Sequence, residues 1–439
     1  MNKFLPIGIY RNKINKFLYV GSLMKLELIR EIDLKNFGEI EARIGDINGD
    51  KKPEIVFFQA EDIPKRRLST GGYLQEKTFT CITAMDLQGN IIWQTGTPRP
   101  PDGRIFHGPG ASHIFDINEK GESRIVYISI ENNLPQMRLI NGRNGELIKE
   151  RETGPSWAIF PADLRGLGKK RDFIVNTAVI PLSAFTEDLE PIWEYCYIYG
   201  SGHSITAADV EGKGRDDVFA GVCRVDAKCN RIWWRPDLDD AMEEMGNCPH
   251  VDSVYVHKLF HDKNEFQVLW IGGKDVMCLN AISGEVIWRM TGEHLQHGVP
   301  GYFDPDCKDK LIYIAEKSHE LPSYMVTANG KVLWEKMMGA GYALILNKTG
   351  ENGEDLIINR LPPVGESPYI FDYKGDIVAR FPIAPIKAGR KLPGDTGTRY
   401  LYNDDGTAWN FHNVDLDNDG ADEIIVHNRS VMYMFKLVK

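Results

Sequence analysis

The sequence predicts an all-β chain folded as a single eight-bladed β-propeller with four-stranded antiparallel blades, a seven-bladed ring being the alternative. Three observations predict it. Acidic turn segments recur at roughly 45 residues, the period of a propeller blade. A turn followed by a short strand ending in tryptophan follows most of them. The pattern runs across the whole chain, 1–439, with no linker between domains.

The acidic segments begin GDINGDKKPEIVFF at Gly45, FDINEKGESRIVYI at Phe115, ADLRGLGKKRDFIVN at Ala162 and ADVEGKGRDDVFAG at Ala208. HKLFHDKNEFQVLWIG at His257, FDPDCKDKLIYIAE at Phe303, LNKTGENGEDLIINR at Leu346 and VDLDNDGADEIIVHN at Val414 follow. Their lead positions are Asp46, Asp116, Asp163, Asp209, His257, Asp304, Asn347 and Asp415. The second segment reads DLQGNIIW, EDLEPIW, RVDAKCNRIWW, NAISGEVIW and TANGKVLW, with NGRNGELIK and DYKGDIVA degenerate. Each repeat thus reads as inner strand A, acidic loop, strand B, loop, strand C, turn and outer strand D. The last repeat is short of an outer strand. The N-terminal KLELIREIDL, about 25–34, supplies it and closes the ring, which removes exposed edges.

Bulk properties bound the function. The formal charge of −10 argues against a nucleic-acid partner. No apolar run approaches the ~20 residues of a membrane span. The N-terminus has neither a continuous apolar core nor a small-residue cleavage site, so the chain as given reads as cytoplasmic, or as secreted if a signal was removed. Seven scattered cysteines without metal-type spacing read as reduced structural thiols.

An antiparallel meander puts A–B and C–D loops on one face and B–C and D–A loops on the other. On the first face, Asp415, Asp417, Asp419 and Glu423, and likewise Asp46, Asn48, Asp50 and Glu54, place oxygens on alternate residues with one more four on. Such sets can wrap a hard cation, and structural calcium is expected there. The other face is the chemically richer one. Seven of the eleven histidines fall in its D–A segments. These segments bring His107, His113, Trp157, His203, His250, His294, His297, Tyr342, Trp409 and His412 toward one funnel, and the B–C loops add Lys317, His319 and Arg360. Two long insertions add Lys65, Arg66, Arg67, Lys387, Arg390, Lys391 and Arg399 as a basic rim. Aromatic faces stack on sugar rings and arginine pairs with carboxylates in fork geometry. His107, His113, Trp157, Lys317, Arg390, Arg399, Trp409 and His412 are therefore the expected substrate-binding groups, and a divalent metal at the funnel stays open.

The acidic loops resemble those of FG-GAP repeats. With the GEVIW turn, the Gly-His loop and HLQHGVPGYF…LIYIAEK, the chain resembles the rhamnogalacturonan lyases of polysaccharide lyase family 11 and the propeller ulvan lyases of families 24 and 25. The family's Gly-His-Gly-Asp appears as Gly202-His203-Ser204, without the acid. The resemblance implies β-elimination on a uronic-acid glycan. That chemistry needs a carboxylate neutraliser, a base and an acid. Arg360 is the expected neutraliser, His297 or His203 the base, Tyr342 the acid or base, and His319 an orienting group. Two other classes stay open: a non-catalytic glycan- or protein-binding propeller, and a glycoside hydrolase pairing Glu316 with Asp102, Asp405 or Glu293.

Overall fold

The computed structural model describes residues 24–39, 41–62, 66–67, 73–74, 77–98, 111–118, 121–132, 134–154, 158–176, 181–198, 201–241, 243–245, 248–317, 321–339, 342–349, 352–385 and 409–438. Strands dominate it, with one short 3₁₀ turn at Pro236–Ala241 and two two-stranded ribbons. The all-β propeller architecture is the one read from the period.

Among the described residues seven sheets make the ring, six of four strands and one of six. This agrees with the seven-bladed alternative and corrects the expectation of eight separate sheets. The cause lies in repeats five and six. Gln267–Asn280 is one strand through positions B and C of the fifth repeat. Val286–Gly301 runs on from its outer strand into the inner strand of the sixth, and Leu295 pairs with both Gly273 and Glu316. The two repeats therefore share one hydrogen-bonded sheet. The last sheet takes Lys25–Asp33 as its outer strand against Val431–Val438.

Hairpin register corrects two lead positions. Gly45 pairs with Glu54, as His257 does with Gln267 and Gly301 with Leu311. The counterparts of Asp46 are therefore Lys258 and Tyr302, one residue after His257 and two before Asp304. Neither carries an acid, so loop chemistry could not align them.

The recurrent tryptophan is a staple between neighbours. Trp93 Nε1 donates to the Gly142 carbonyl at 2.6 Å, Trp233 to Ala281 at 3.1 Å, Trp288 to Ala328 at 2.8 Å and Trp334 to Tyr373 at 2.6 Å. The turn glycines that receive them have two reasons to be glycine. Gly284 and Gly330 have φ of 72° and 85°, and a Cβ on either would sit 2.8 and 2.7 Å from the Trp233 and Trp288 rings. Acids give a second staple: Asp216 Oδ2 accepts from the Asp163 amide at 2.8 Å, Asp355 from Tyr302 at 2.8 Å and Asp422 from Asn347 at 2.9 Å.

A disulfide, Cys196–Cys229, ties the third repeat's outer strand to the fourth repeat's turn. It corrects the reduced-thiol expectation for that pair; Cys81, Cys223, Cys278 and Cys307 are free. The pairing is legible only in space, because the sequence separation of 33 brings the Cα atoms to 6.2 Å. Replacing both cysteines by serine should lower stability by ~2–4 kcal/mol. Thermal unfolding with and without dithiothreitol checks it: reductant should move the parent to the variant's midpoint and leave the variant unmoved.

Candidate functional site

Register places the funnel chemistry. Five residues before the Asp46 counterpart stand Glu41, His297, Tyr342 and Asn410, each on or entering an inner strand. Three before it stand Arg43, His113, Tyr255 and His412.

Across repeats five to eight these side chains form one string. The Tyr255 hydroxyl lies 3.0 Å from His297 Nδ1, and His297 Nε2 lies 3.1 Å from the Ala343 carbonyl. A carbonyl only accepts, so Nε2 carries the proton and Nδ1 accepts from Tyr255. The His297 ring tilts against Tyr342 at 5.8 Å. Arg360 lies 5.6 Å over the Tyr342 ring and donates Nε–H to the Tyr342 carbonyl at 2.9 Å. Arg360 Nη1 reaches Asn410 Oδ1 at 3.4 Å. Asn410 Nδ2 then donates to His412 Nε2 at 3.3 Å, and His412 stacks on His427 with Nε2 atoms 3.1 Å apart.

Desolvation sets the protonation states. Burial, with Arg360 adding to it, lowers His297 to about 4 although its bond to Ala343 opposes this. Burial, then Arg43 and Lys170, lowers His113 to about 4. Burial takes His427 to about 3 and, with His427, Arg43 and Arg360, puts His412 well below its usual value. Burial pushes the Tyr255 phenol up to about 12. The funnel is thus a belt of neutral imidazoles with Arg43 and Arg360 as fixed cations. Tyr342 is 44% exposed with φ of 56°, so an uncommon backbone conformation presents its ring outward.

The loops of this face are pinned from beneath, a layer the repeat pattern did not reveal. Buried polar groups at strand-B ends bond to D–A main chain: Gln59 to Asn36, Asn176 to Gly202, and Asn359 to Met338. Glu316, 1% exposed, accepts from the Glu293 and His294 amides at 3.1 and 2.6 Å. Burial raises its carboxyl. A buried acid occupied by two amides is a loop anchor, which removes it from a hydrolase pair.

The expected site residues divide accordingly. His297, Tyr342, Arg360 and His412 come together. His203 stands apart in the fourth repeat, its Nε2 3.8 Å from Asp252. His113 lies beside Arg43 in the second repeat. Trp409 packs on the last repeat's aromatic cluster beside Tyr433. Lys317 is fixed through its amide to the His294 carbonyl at 2.9 Å. His107, Trp157, His319, Arg390 and Arg399 lie outside the described residues, as do Asp102 and Asp405. Tyr255, Asn410, Arg43 and His427 were missed. Counting from a register-corrected lead position would have found the first three.

In the first repeat, Asp46 accepts from the Gly49 and Lys51 amides at 2.6 and 2.9 Å, and Glu54 from Ile47 N and Asn48 Nδ2 at 2.9 and 2.8 Å. Burial, then Asp50, Asp46 and Asp86, raises Glu54 to about 7. Acids crowding a buried carboxyl fit a hard cation. In the last repeat, oxygens of Asp415, Asp417 and Asp419 converge within 4.8 Å, but the Lys436 ammonium stands among the carboxylates. This trio is on the face opposite the histidines; no such trio occurs on the funnel face among the described residues.

No protein-family model matches the chain. The rhamnogalacturonan exolyase YesX of Bacillus subtilis (strain 168) is 21% identical over 308 residues, 66% of this chain and 44% of that protein. The matched stretch is thus less than half of that relative. Among solved structures, the exotype rhamnogalacturonan lyase YesX superposes with a TM-score of 0.63 at 16% identity, covering 91% of this chain and 72% of that one. A Bacillus licheniformis rhamnogalacturonan lyase, PL11, gives 0.62 at 15%, covering 90% and 71%. The V. cholerae biofilm matrix protein Bap1 gives 0.53 at 12%, covering 94% and 91%. The chain is similar in fold to rhamnogalacturonan lyases and, distantly, in sequence to one of them.

Proposed function

We propose that the protein is a polysaccharide lyase that cleaves a uronate-containing polymer of the rhamnogalacturonan type by β-elimination. The observation that carries this reading is the string Tyr255–His297–Tyr342–Arg360 on the funnel face: a fixed guanidinium, an exposed phenol and a hydroxyl–imidazole pair on neighbouring repeats. The names of the similar proteins support the substrate class.

In this reading Arg360 pairs with the uronate carboxylate and draws charge from the adjacent C5–H. The Tyr255 oxygen takes that proton as its own passes to His297 Nδ1, whose ring the Ala343 carbonyl holds in one tautomer. Electrons from the C5–H bond form the C4–C5 double bond and the bond from C4 to the glycosidic oxygen breaks. Tyr342 protonates the departing oxygen. The bound carboxylate also offsets the Arg360 charge that helps to depress His297, so substrate makes the imidazole a better acceptor. His412, with Asn410 between, holds Arg360 from the far side. Calcium at the Asp46–Glu54 loop belongs to the same proposal as a structural ion, remote from the chemistry. The disulfide favours an oxidising compartment.

The test is ultraviolet absorbance of the unsaturated product on a panel of uronate polymers. Tyr255→Phe and His297→Gln should each lower kcat/KM by ~10²–10⁴. Polymer binding without any absorbance rise would favour a glycan-binding module, and reducing ends without absorbance a hydrolase.

A further inference from the structure

The two best acidic loops differ in one respect that their sequences hide. In the last repeat, Lys436 Nζ lies 2.7 Å from Asp417 Oδ2, 3.1 Å from Asp419 Oδ2 and 2.9 Å from Glu423 Oε1. Asp415 is turned to the loop's own amides of Asp419 and Gly420 at 3.1 and 3.0 Å. The ammonium donates to Asp417 and Asp419 and forms an ion pair with the buried Glu423.

The lysine comes from the neighbouring strand. Ile424 pairs with Phe435, which sets Lys436 opposite Glu423. In the first repeat Ile55 pairs with Met85, which sets Asp86 opposite Glu54. The same lattice point is a cation in one loop and an anion in the other. In two other repeats a cation reaches the buried acid from a different position: Asp172 pairs with Arg165 of its own loop at 2.6 Å, and Asp217 with the buried Arg224. Glu54 faces Asp50, Asp46 and Asp86 instead.

We propose that the Lys436 ammonium is the built-in counter-ion of the Asp415–Glu423 loop, standing where a divalent ion would bind, so that the sheet closing the ring needs no metal. A calcium ion there would have to break three ion pairs, whereas at the Asp46–Glu54 loop it would meet uncompensated acids. The lysine strand is also the one that pairs with the N-terminal strand, Glu27 facing Lys436. Ring closure is then independent of calcium. The proposal rests on the cation reading of these loops and not on the lyase reading.

The test counts calcium ions bound by the metal-stripped full chain, using isothermal titration, with circular dichroism confirming the fold of each variant. Asp417→Asn should leave the parent's number unchanged. Lys436→Met should bind one ion more, and adding Asp417→Asn to it should remove that ion. Lys436→Gln, which keeps a polar group, should gain the same ion and serves if the methionine variant folds poorly. Loss of an ion from the parent on Asp417→Asn would overturn the proposal, as would no gain in either lysine variant. Activity is not measured, so either result leaves the lyase reading untouched.

Discussion

Arg360→Ala is expected to lower kcat/KM on a rhamnogalacturonan-type polymer by ~10²–10³, the usual cost of removing a preorganised group that stabilises developing charge. The thermal midpoint should change little, because the guanidinium rests on the Tyr342 ring and carbonyl and on Asn410 Oδ1 and anchors no hydrophobic cluster. Arg360→Lys should recover only part of the loss. A lysine restores a point charge but not the planar fork that grips a carboxylate, and it cannot reach Tyr342 and Asn410 at once. Rates from product absorbance, set beside melting curves, separate the two effects. Parental kcat/KM in folded Arg360→Ala would move the site to the Arg43–His113 side of the funnel.

Acid should destabilise the fold well above the pH at which surface carboxylates titrate. His113, His257 and His297 are lowered to about 4 and His427 to about 3, burial being the first cause in each. Between the ordinary histidine value and those depressed ones, the unfolded chain binds protons that the folded chain refuses. Stability therefore rises with pH through that window. The contribution is fully present above about 6.5 and is lost progressively as pH falls toward 4 and then 3. For His427, which is fully buried, the ceiling is about 5 kcal/mol at ~1.4 kcal/mol per pKa unit. Thermal midpoints across pH 4–8 check this; His427→Gln should flatten the acid limb. A midpoint that does not move between pH 7 and 4.5 would mean these imidazoles are solvated.

The funnel cluster was partly legible. His297, Tyr342 and Arg360 could be placed on neighbouring loops of one face by meander topology alone, and they do meet. Tyr255 was not legible, because the fifth repeat has Lys258 where five of the repeats have an acid, so its loop aligns one residue off. In a strand, one residue of slip exchanges the two faces. The anchoring layer of Gln59, Asn176, Glu316 and Asn359 was likewise hidden, since four residue types perform one task. Glu316 read as a free acid and is an anchor.

By itself the sequence determined the propeller, the strand order within each repeat and the face on which the histidines gather. These follow from period, alternation and turn chemistry, which are local. Tertiary structure alone decided what crosses between repeats: the merged fifth and sixth repeats, the Cys196–Cys229 link, the neutral imidazole belt and the lysine inside the last acidic loop. Each depends on which side chains from separate stretches of chain meet in space, and on the desolvation found there. Neither spacing nor composition records that.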